Sequence, residues 1–337
     1  MKDLYGSCNS CSFSHIYVEE RAIENENTKH ILSNFKNSSI IKIRHYKDVF
    51  SRHNQNFVLQ KKSPKLILAC KDGNLIYKGA DVCESFGNEH FYYTSSMMNC
   101  LYNCEYCYLQ GMYSSANIVI FVNLNDIFYN LQHILKKHPV YLCISYDTDL
   151  LAFENITGFT RKWIEFASLY PHLKIEIRTK SCNFKSIEDI VPQDNVILAW
   201  TLSPEEIARK YEANTPSLSS RLNSVKDALD KGWKVRICFD PILYIHSWEE
   251  QYKKCVEDTF KVISKSNIED VSIGVFRIAK DYLKRMVKNN PRSVLLSYPF
   301  KTINGVCTYS LEHHQSMVEF IYNMICDHVE EKKIFVQ

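Results

Sequence analysis

Beyond residue 90 the chain alternates short apolar runs with longer stretches whose apolar positions recur every three or four residues. Phe91–Thr94, Val140–Ser145, Lys174–Thr179, Asn195–Leu202, Lys234–Phe239 and Asp270–Val275 read as strands. Leu124–Lys137, Ile156–Leu169, a stretch from Pro204, Ser217–Lys231, Trp248–Ser264 and Ala279–Lys288 read as helices. Strands alternating with helices of this length predict parallel βαβ units. About six such units predict an α/β fold, a partial (β/α) barrel open where eight units would close. Ahead of it, Ser14–Val18, Ile40–Ile43 and Leu66–Ala69 read as strands and Glu24–Phe35 as a helix. Asp72-Gly73, with Leu75-Ile76-Tyr77 beyond it, predicts a hairpin. The expected divisions are an N-terminus at 1–12 that should be mobile, a small α/β extension at 13–88, the barrel at 89–290, and a C-terminal hairpin and helix at 291–337.

Residues at the C-terminal ends of barrel strands are where such folds place their sites. That rule selects Thr94 to Met98, Tyr146 to Asp149, Thr179 and Lys180, Thr201 to Ser203, Asp240 and Arg277, polar positions following apolar runs. On the same rim lies Cys100-Leu101-Tyr102-Asn103-Cys104-Glu105-Tyr106-Cys107-Tyr108, with thiols spaced C-x3-C-x2-C. Close thiols on one loop can wrap an iron–sulfur cluster, and three ligands leave one iron of a [4Fe-4S] cluster open for another molecule. A zinc loop would want a second cysteine pair, which this stretch lacks.

Composition narrows the setting. The chain has 337 residues, 45% hydrophobic, with a formal net charge of +3, so any nucleic-acid contact must come from a local patch. Thirteen cysteines in a chain this long, without an apolar segment after Met1-Lys2-Asp3, lead us to expect a reducing cytoplasm. No apolar run approaches the ~20 residues of a membrane span. Cys8 and Cys11 form a C-x2-C pair open to metal or redox roles, and Asn54–Lys62 is polar and basic, either a DNA-facing edge or a solvated loop. The other cysteines, Cys83 among them, are scattered singly and read as small buried hydrophobes.

The cysteine spacing resembles the radical S-adenosylmethionine (SAM) superfamily. The longer text Cys104-Glu105-Tyr106-Cys107-Tyr108-Leu109-Gln110, followed by Phe121-Val122-Asn123-Leu124, resembles the spore photoproduct lyase family, in a form nearest its clostridial branch. The resemblance runs from Phe13 onward. It implies a radical-SAM barrel and a DNA repair reaction, in which a 5′-deoxyadenosyl radical reverts 5-thyminyl-5,6-dihydrothymine to two thymines. It implies Cys100, Cys104 and Cys107 as cluster ligands. Lys180, Thr201, Thr148, Ser203, Asp149 and Tyr108 become the cofactor contacts, and Tyr106 and Tyr108 the tyrosines beside the cluster. The partners implied are double-stranded DNA carrying the lesion and an electron donor such as ferredoxin or flavodoxin. A monomer is expected.

The family's better-known members carry a hydrogen-donating cysteine where this chain has Tyr146, and the nearest thiol in sequence is Cys143. The donor is therefore expected at Tyr146 or Cys143. Asn304-Gly305 predicts a type I′ turn in a hairpin that resembles the family's DNA wedge. Tyr298, Phe300, Lys301, Tyr309 and Arg277 are the candidate DNA contacts, with Arg236 a further arginine for phosphate or SAM. Two other readings stand beside this one: a radical SAM enzyme with another substrate, and a non-enzymatic Fe–S protein that binds nucleic acid.

Overall fold

A computed structural model describes residues 12–80, 82–263 and 268–337; Cys8 and Cys11 lie outside these. The expected barrel strands form one curled sheet. Phe91–Tyr93, Val140–Cys143, Leu173–Thr179, Val196–Thr201, Lys234–Ile242 and Asp270–Val275 are its successive parallel members. Two additions went unread in the sequence. Ile334–Val336 pairs in parallel with Asp270–Val275 at one edge, and Tyr77–Lys78 pairs antiparallel with Phe91–Tyr93 at the other. The continuous apolar runs mark strands that bury both faces: every residue of Val196–Thr201 and Asp270–Val275 is buried.

The hairpin expected around Asp72-Gly73 does not form. Leu66–Ala69 is buried throughout and lies between His15–Glu19 and Ile118–Phe121, so both its edges are already paired. Tyr77 is thereby free to join the other sheet, and the turn is held instead by Arg21, whose guanidinium bonds Asp72 at 2.6 Å. The sheet of the extension is completed by Ile118–Phe121 and Met97–Met98, which come from beyond residue 90. The cluster loop therefore leaves this sheet at Met97–Met98 and returns to it at Ile118–Phe121, two strands that pair with each other.

One face of the barrel sheet carries a polar ladder, since residues two apart on a strand share a face. Arg236 is fully buried and pairs with Glu176 and Asp270, donating also to the Tyr141 hydroxyl at 2.7 Å. It is a structural arginine, with its guanidinium spent inside the fold rather than on a phosphate or on SAM. Burial pushes the Glu176 carboxyl up, but Arg178, Arg236 and the Tyr141 hydrogen bond outweigh it and hold the group at about 2. The Glu212 carboxyl, beside Arg221 and Lys180, is likewise held at about 2 against its burial.

A carboxylate with a depressed folded pKa contributes stability above its unfolded pKa and loses it as pH falls through the folded value. Between pH 4.5 and 2, each of these two groups should lose roughly 1.4 kcal/mol per pH unit. Burial shifts Asp147, Asp149 and Glu154 the other way, and their contributions change only above the ordinary carboxylate range. Urea unfolding should therefore show lower stability at pH 2.5 than at pH 3.5, where Glu176 and Glu212 alone of these five are still being protonated. Equal values would mean that the buried pairs contribute nothing.

Candidate active site

The cluster loop is fastened at both ends before any metal enters. Asn103–Cys104 pairs antiparallel with Glu212–Ala213, and the Glu105 amide donates to the Tyr211 carbonyl at 2.7 Å. Behind the loop, the Gln110 side chain donates to the Cys104 carbonyl at 2.6 Å. Cys100, Cys104 and Cys107 line one small cavity together with Phe57, Lys61 and Tyr102. Burial raises all three thiols, Cys100 to about 12 and Cys104 well above its ordinary value. A dry pocket favours the neutral thiol, so only a bound metal centre, aided by Lys61 and Lys180, would hold these groups as thiolates. Three convergent thiols in such a pocket fit a cluster.

Beside the loop lies a buried hub that the sequence reading missed. Glu212 accepts from the Tyr106 hydroxyl, from Ser203 at 2.8 Å and from fully buried Arg221. Lys180 sits over the Tyr106 ring, its ammonium 5.5 Å from the centroid. The signal was present: Arg221 falls on the same helical face as Leu218, Leu222, Val225 and Ala228, all buried, and an arginine within an apolar stripe requires a buried partner. Tyr106 and Ser203, expected beside the cluster and at the cofactor, spend their hydroxyls on this hub.

The strand-end residues meet at the rim. Asp149 accepts from the Thr179 hydroxyl at 2.7 Å, from the Lys180 amide at 2.7 Å and from the Ala152 amide at 3.1 Å. It thus caps the following turn and also holds the Lys180 backbone in place. Thr201 is buried, and its carbonyl accepts from Arg221 at 3.2 Å. The Thr148 hydroxyl is buried with no hydrogen-bond partner among the described residues. An orphaned hydroxyl on this rim fits a polar ligand such as SAM, since an unmet buried hydroxyl is costly.

Tyr146 and Cys143 are parted by the end of the strand. Cys143 stays in the sheet, its thiol 3.5 Å from Glu176 Oε1. Tyr146 lies in the turn, stacked on Tyr93 with centroids 4.1 Å apart. Its hydroxyl is 3.7 Å from the Cys83 thiol. Cys83, read from sequence as a scattered small hydrophobe, is thereby brought to the rim. Nothing local marked it, because the pairing spans 63 positions of sequence. On the cluster side, Tyr108 donates to the Tyr146 carbonyl at 2.5 Å and approaches Asp147 at 3.3 Å. Contacts therefore run unbroken from Cys107 through Tyr108 and Tyr146 to Cys83.

The C-terminal hairpin has the expected turn. Asn304 and Gly305 both take positive φ, 49° and 81°, as a type I′ turn requires, and Lys301–Ile303 pairs with Val306–Thr308. Lys301 and Ile303 are exposed, while Tyr298 and Phe300 are half-buried. Tyr309 is buried, its hydroxyl accepting from the Tyr244 amide at 2.9 Å. Arg277 binds Asp240 at 2.9 Å and the Val82 carbonyl at 3.1 Å. Tyr309 is corrected as a DNA contact, because its buried ring packs against Tyr298 and Phe300, whereas Arg277 is partly exposed and shares its guanidinium with Asp240.

A partial parallel barrel with a three-thiol loop on its strand-end rim defines the radical SAM class of enzymes. Within that class, the spore photoproduct lyase profile matches residues 12–303, and the chain belongs to the spore photoproduct lyase family. It is 21% identical over 204 residues to the spore photoproduct lyase of Geobacillus sp., an alignment covering 59% of this chain and 58% of that protein. It is 21% identical over 237 residues to that of Clostridium acetobutylicum, covering 67% and 70%. The fold is that of a spore photoproduct lyase variant solved with SAM and a dinucleoside spore photoproduct. That likeness has a TM-score of 0.83 at 18% identity and covers 96% of this chain and 98% of that one. No helix among the described residues is long and apolar enough to cross a membrane.

Proposed function

We propose that this protein reverts the spore photoproduct in DNA to two thymines, with Cys83 and Tyr146 as its hydrogen-donating pair. The observation that carries the reading is the contact path from Cys107 through Tyr108 and Tyr146 to Cys83. Cys100, Cys104 and Cys107 would hold a [4Fe-4S] cluster, and Lys180, Thr148 and Thr201 would face SAM. When bound, cluster and SAM together supply a 5′-deoxyadenosyl radical able to take the lesion's C6 hydrogen, chemistry no side chain can perform.

The later chemistry falls to the chain's own residues. Cleavage of the methylene bridge leaves a thymine carbon radical. The Cys83 S–H bond breaks homolytically, its hydrogen forms the new C–H bond, and the thiyl radical takes a hydrogen atom from the Tyr146 hydroxyl. Tyr146 would regain its hydrogen from the 5′-deoxyadenosine formed in the first abstraction, and Tyr108, bonded to the Tyr146 main-chain carbonyl, holds that residue in place on the cluster side. Asp149 fixes the Lys180 backbone, and the Glu212–Arg221 hub keeps the loop in register.

A lesion must leave the stack to reach this rim, at a cost of a few kcal/mol. Lys301 and Ile303 on the exposed hairpin edge, with Phe300 and Tyr298 behind them, suit a phosphate contact and a wedge in the vacated space. The electron comes from a small redox protein such as ferredoxin or flavodoxin, and the protein works as a monomer in the cytoplasm.

The test is anaerobic. The cluster is reconstituted, SAM, dithionite and a synthetic spore photoproduct dinucleotide are added, and thymine and 5′-deoxyadenosine are followed together. Thymine recovery with little net SAM loss is expected. SAM cleavage without thymine would point to another substrate, and neither product from protein with an intact cluster would overturn the reading.

A further inference from the structure

The basic segment Asn54–Lys62 turns out to cover the cluster loop. Phe57–Lys62 is a short helix whose Phe57 is buried. It is pinned through Gln60, whose side-chain Oε1 accepts from the Ala116 amide at 2.9 Å and the Ser115 hydroxyl at 3.2 Å. The Gln60 side-chain amide donates to Gln55 at 2.7 Å. The next residue, Lys61, is directed inward. Its ammonium donates to the Cys100 carbonyl at 2.5 Å, and its side chain lines the cavity shared by Cys100, Cys104 and Cys107.

Two lysines thus bear on the three thiols, in different electrostatic settings. Lys180 shares its surroundings with Glu212 and Arg221, an internally balanced pair. Lys61 has no carboxylate within ion-pair distance among the described residues, and the groups it shares the cavity with include the three thiols. Lys61 is half-buried with its side chain lining this cavity, and a cation there without an anion is costly unless something negative occupies the space beside it.

We propose that Lys61 is a positioning residue for the iron–sulfur cluster: it anchors the loop at Cys100, and its uncompensated charge raises the reduction potential. The physical basis is direct. Accepting an electron makes the cluster more negative, and a fixed cation in a low-dielectric pocket stabilises that form more than the oxidised one. The proposal rests on the cluster assignment made under Proposed function.

The test is a potentiometric titration of the reconstituted full chain without SAM, followed by visible and electron paramagnetic resonance spectra. It compares the parent, Lys61→Gln and Lys61→Arg. Glutamine keeps a donor for the Cys100 carbonyl but removes the charge. Its reduced-to-oxidised ratio at fixed potential should fall about tenfold, which is 59 mV for a one-electron couple. Arginine should stay close to the parent. An unchanged midpoint in Lys61→Gln at parental iron content would overturn the proposal. If Lys61→Gln fails to hold iron, Lys61→Arg must restore both the iron and the parental midpoint, and its failure to do so is equally fatal. A parent chain that takes up no reducible cluster would instead refute the cluster assignment itself.

Discussion

Replacing Arg221 by methionine should cost about 3–5 kcal/mol of folding stability, because it strands the Glu212 carboxylate in a site without water. Arg221 is fully buried and donates to Glu212, to the Thr215 hydroxyl at 2.8 Å, to the Pro216 carbonyl at 3.0 Å and to the Thr201 carbonyl at 3.2 Å. Glu212 in turn accepts from Tyr106, and its backbone pairs with Cys104. The loss should therefore extend to the cluster loop as lowered iron content after reconstitution. The double variant Glu212→Gln/Arg221→Met should recover part of the stability, since no stranded carboxylate remains, while Lys180 loses the Glu212 charge that balances it. Chemical denaturation of the apoprotein, with iron analysis alongside, checks both statements. A single variant within 1 kcal/mol of the parent, by either unfolding midpoint or iron, would show that the hub does not hold the loop.

The second large effect concerns product fate. Cys83→Ala should lower thymine yield at least tenfold while 5′-deoxyadenosine continues to form, a loss of about 1.4 kcal/mol or more in transition-state terms. The carbon radical, still generated, would then be quenched by solvent or reductant and appear as adducts or strand scission. Tyr146→Phe should lower the yield less per turnover and increase SAM consumed per thymine, because the first hydrogen still comes from the thiol but its renewal is impaired. Cys143→Ala should remain close to the parent, since that thiol faces Glu176 within the sheet. Product analysis on the synthetic dinucleotide separates the three. Diversion by Cys143→Ala with Cys83→Ala unaffected would reverse the assignment.

The barrel was legible because its signal is local. A buried parallel strand and an amphipathic helix each declare themselves within a dozen residues, and Leu173–Thr179, Lys234–Ile242 and Leu218–Asp230 lie within a few positions of their expected bounds. The thiol loop was legible for the same reason. The Asp72-Gly73 hairpin was misread because turn residues specify a bend without specifying which strand the chain meets afterwards. Leu66–Ala69 had two better partners, both distant in sequence. Tyr309 was misplaced because a hairpin read from its turn does not reveal which face the neighbouring elements cover.

What the sequence by itself determined is the set of repeating units, the rim they create and the loop that carries three thiols. Periodicity and close spacing are properties of short segments, and they survive without knowledge of the rest of the chain. Only the tertiary structure decided that Cys83 meets Tyr146, that Glu212 and Arg221 hold the loop, and that Lys61 points at Cys100 rather than outward. Each is a contact between a lone polar side chain and a partner remote in sequence. Such contacts leave no pattern in the chain, because burial and the need to satisfy a charge or a donor act only once the fold has brought the two ends together.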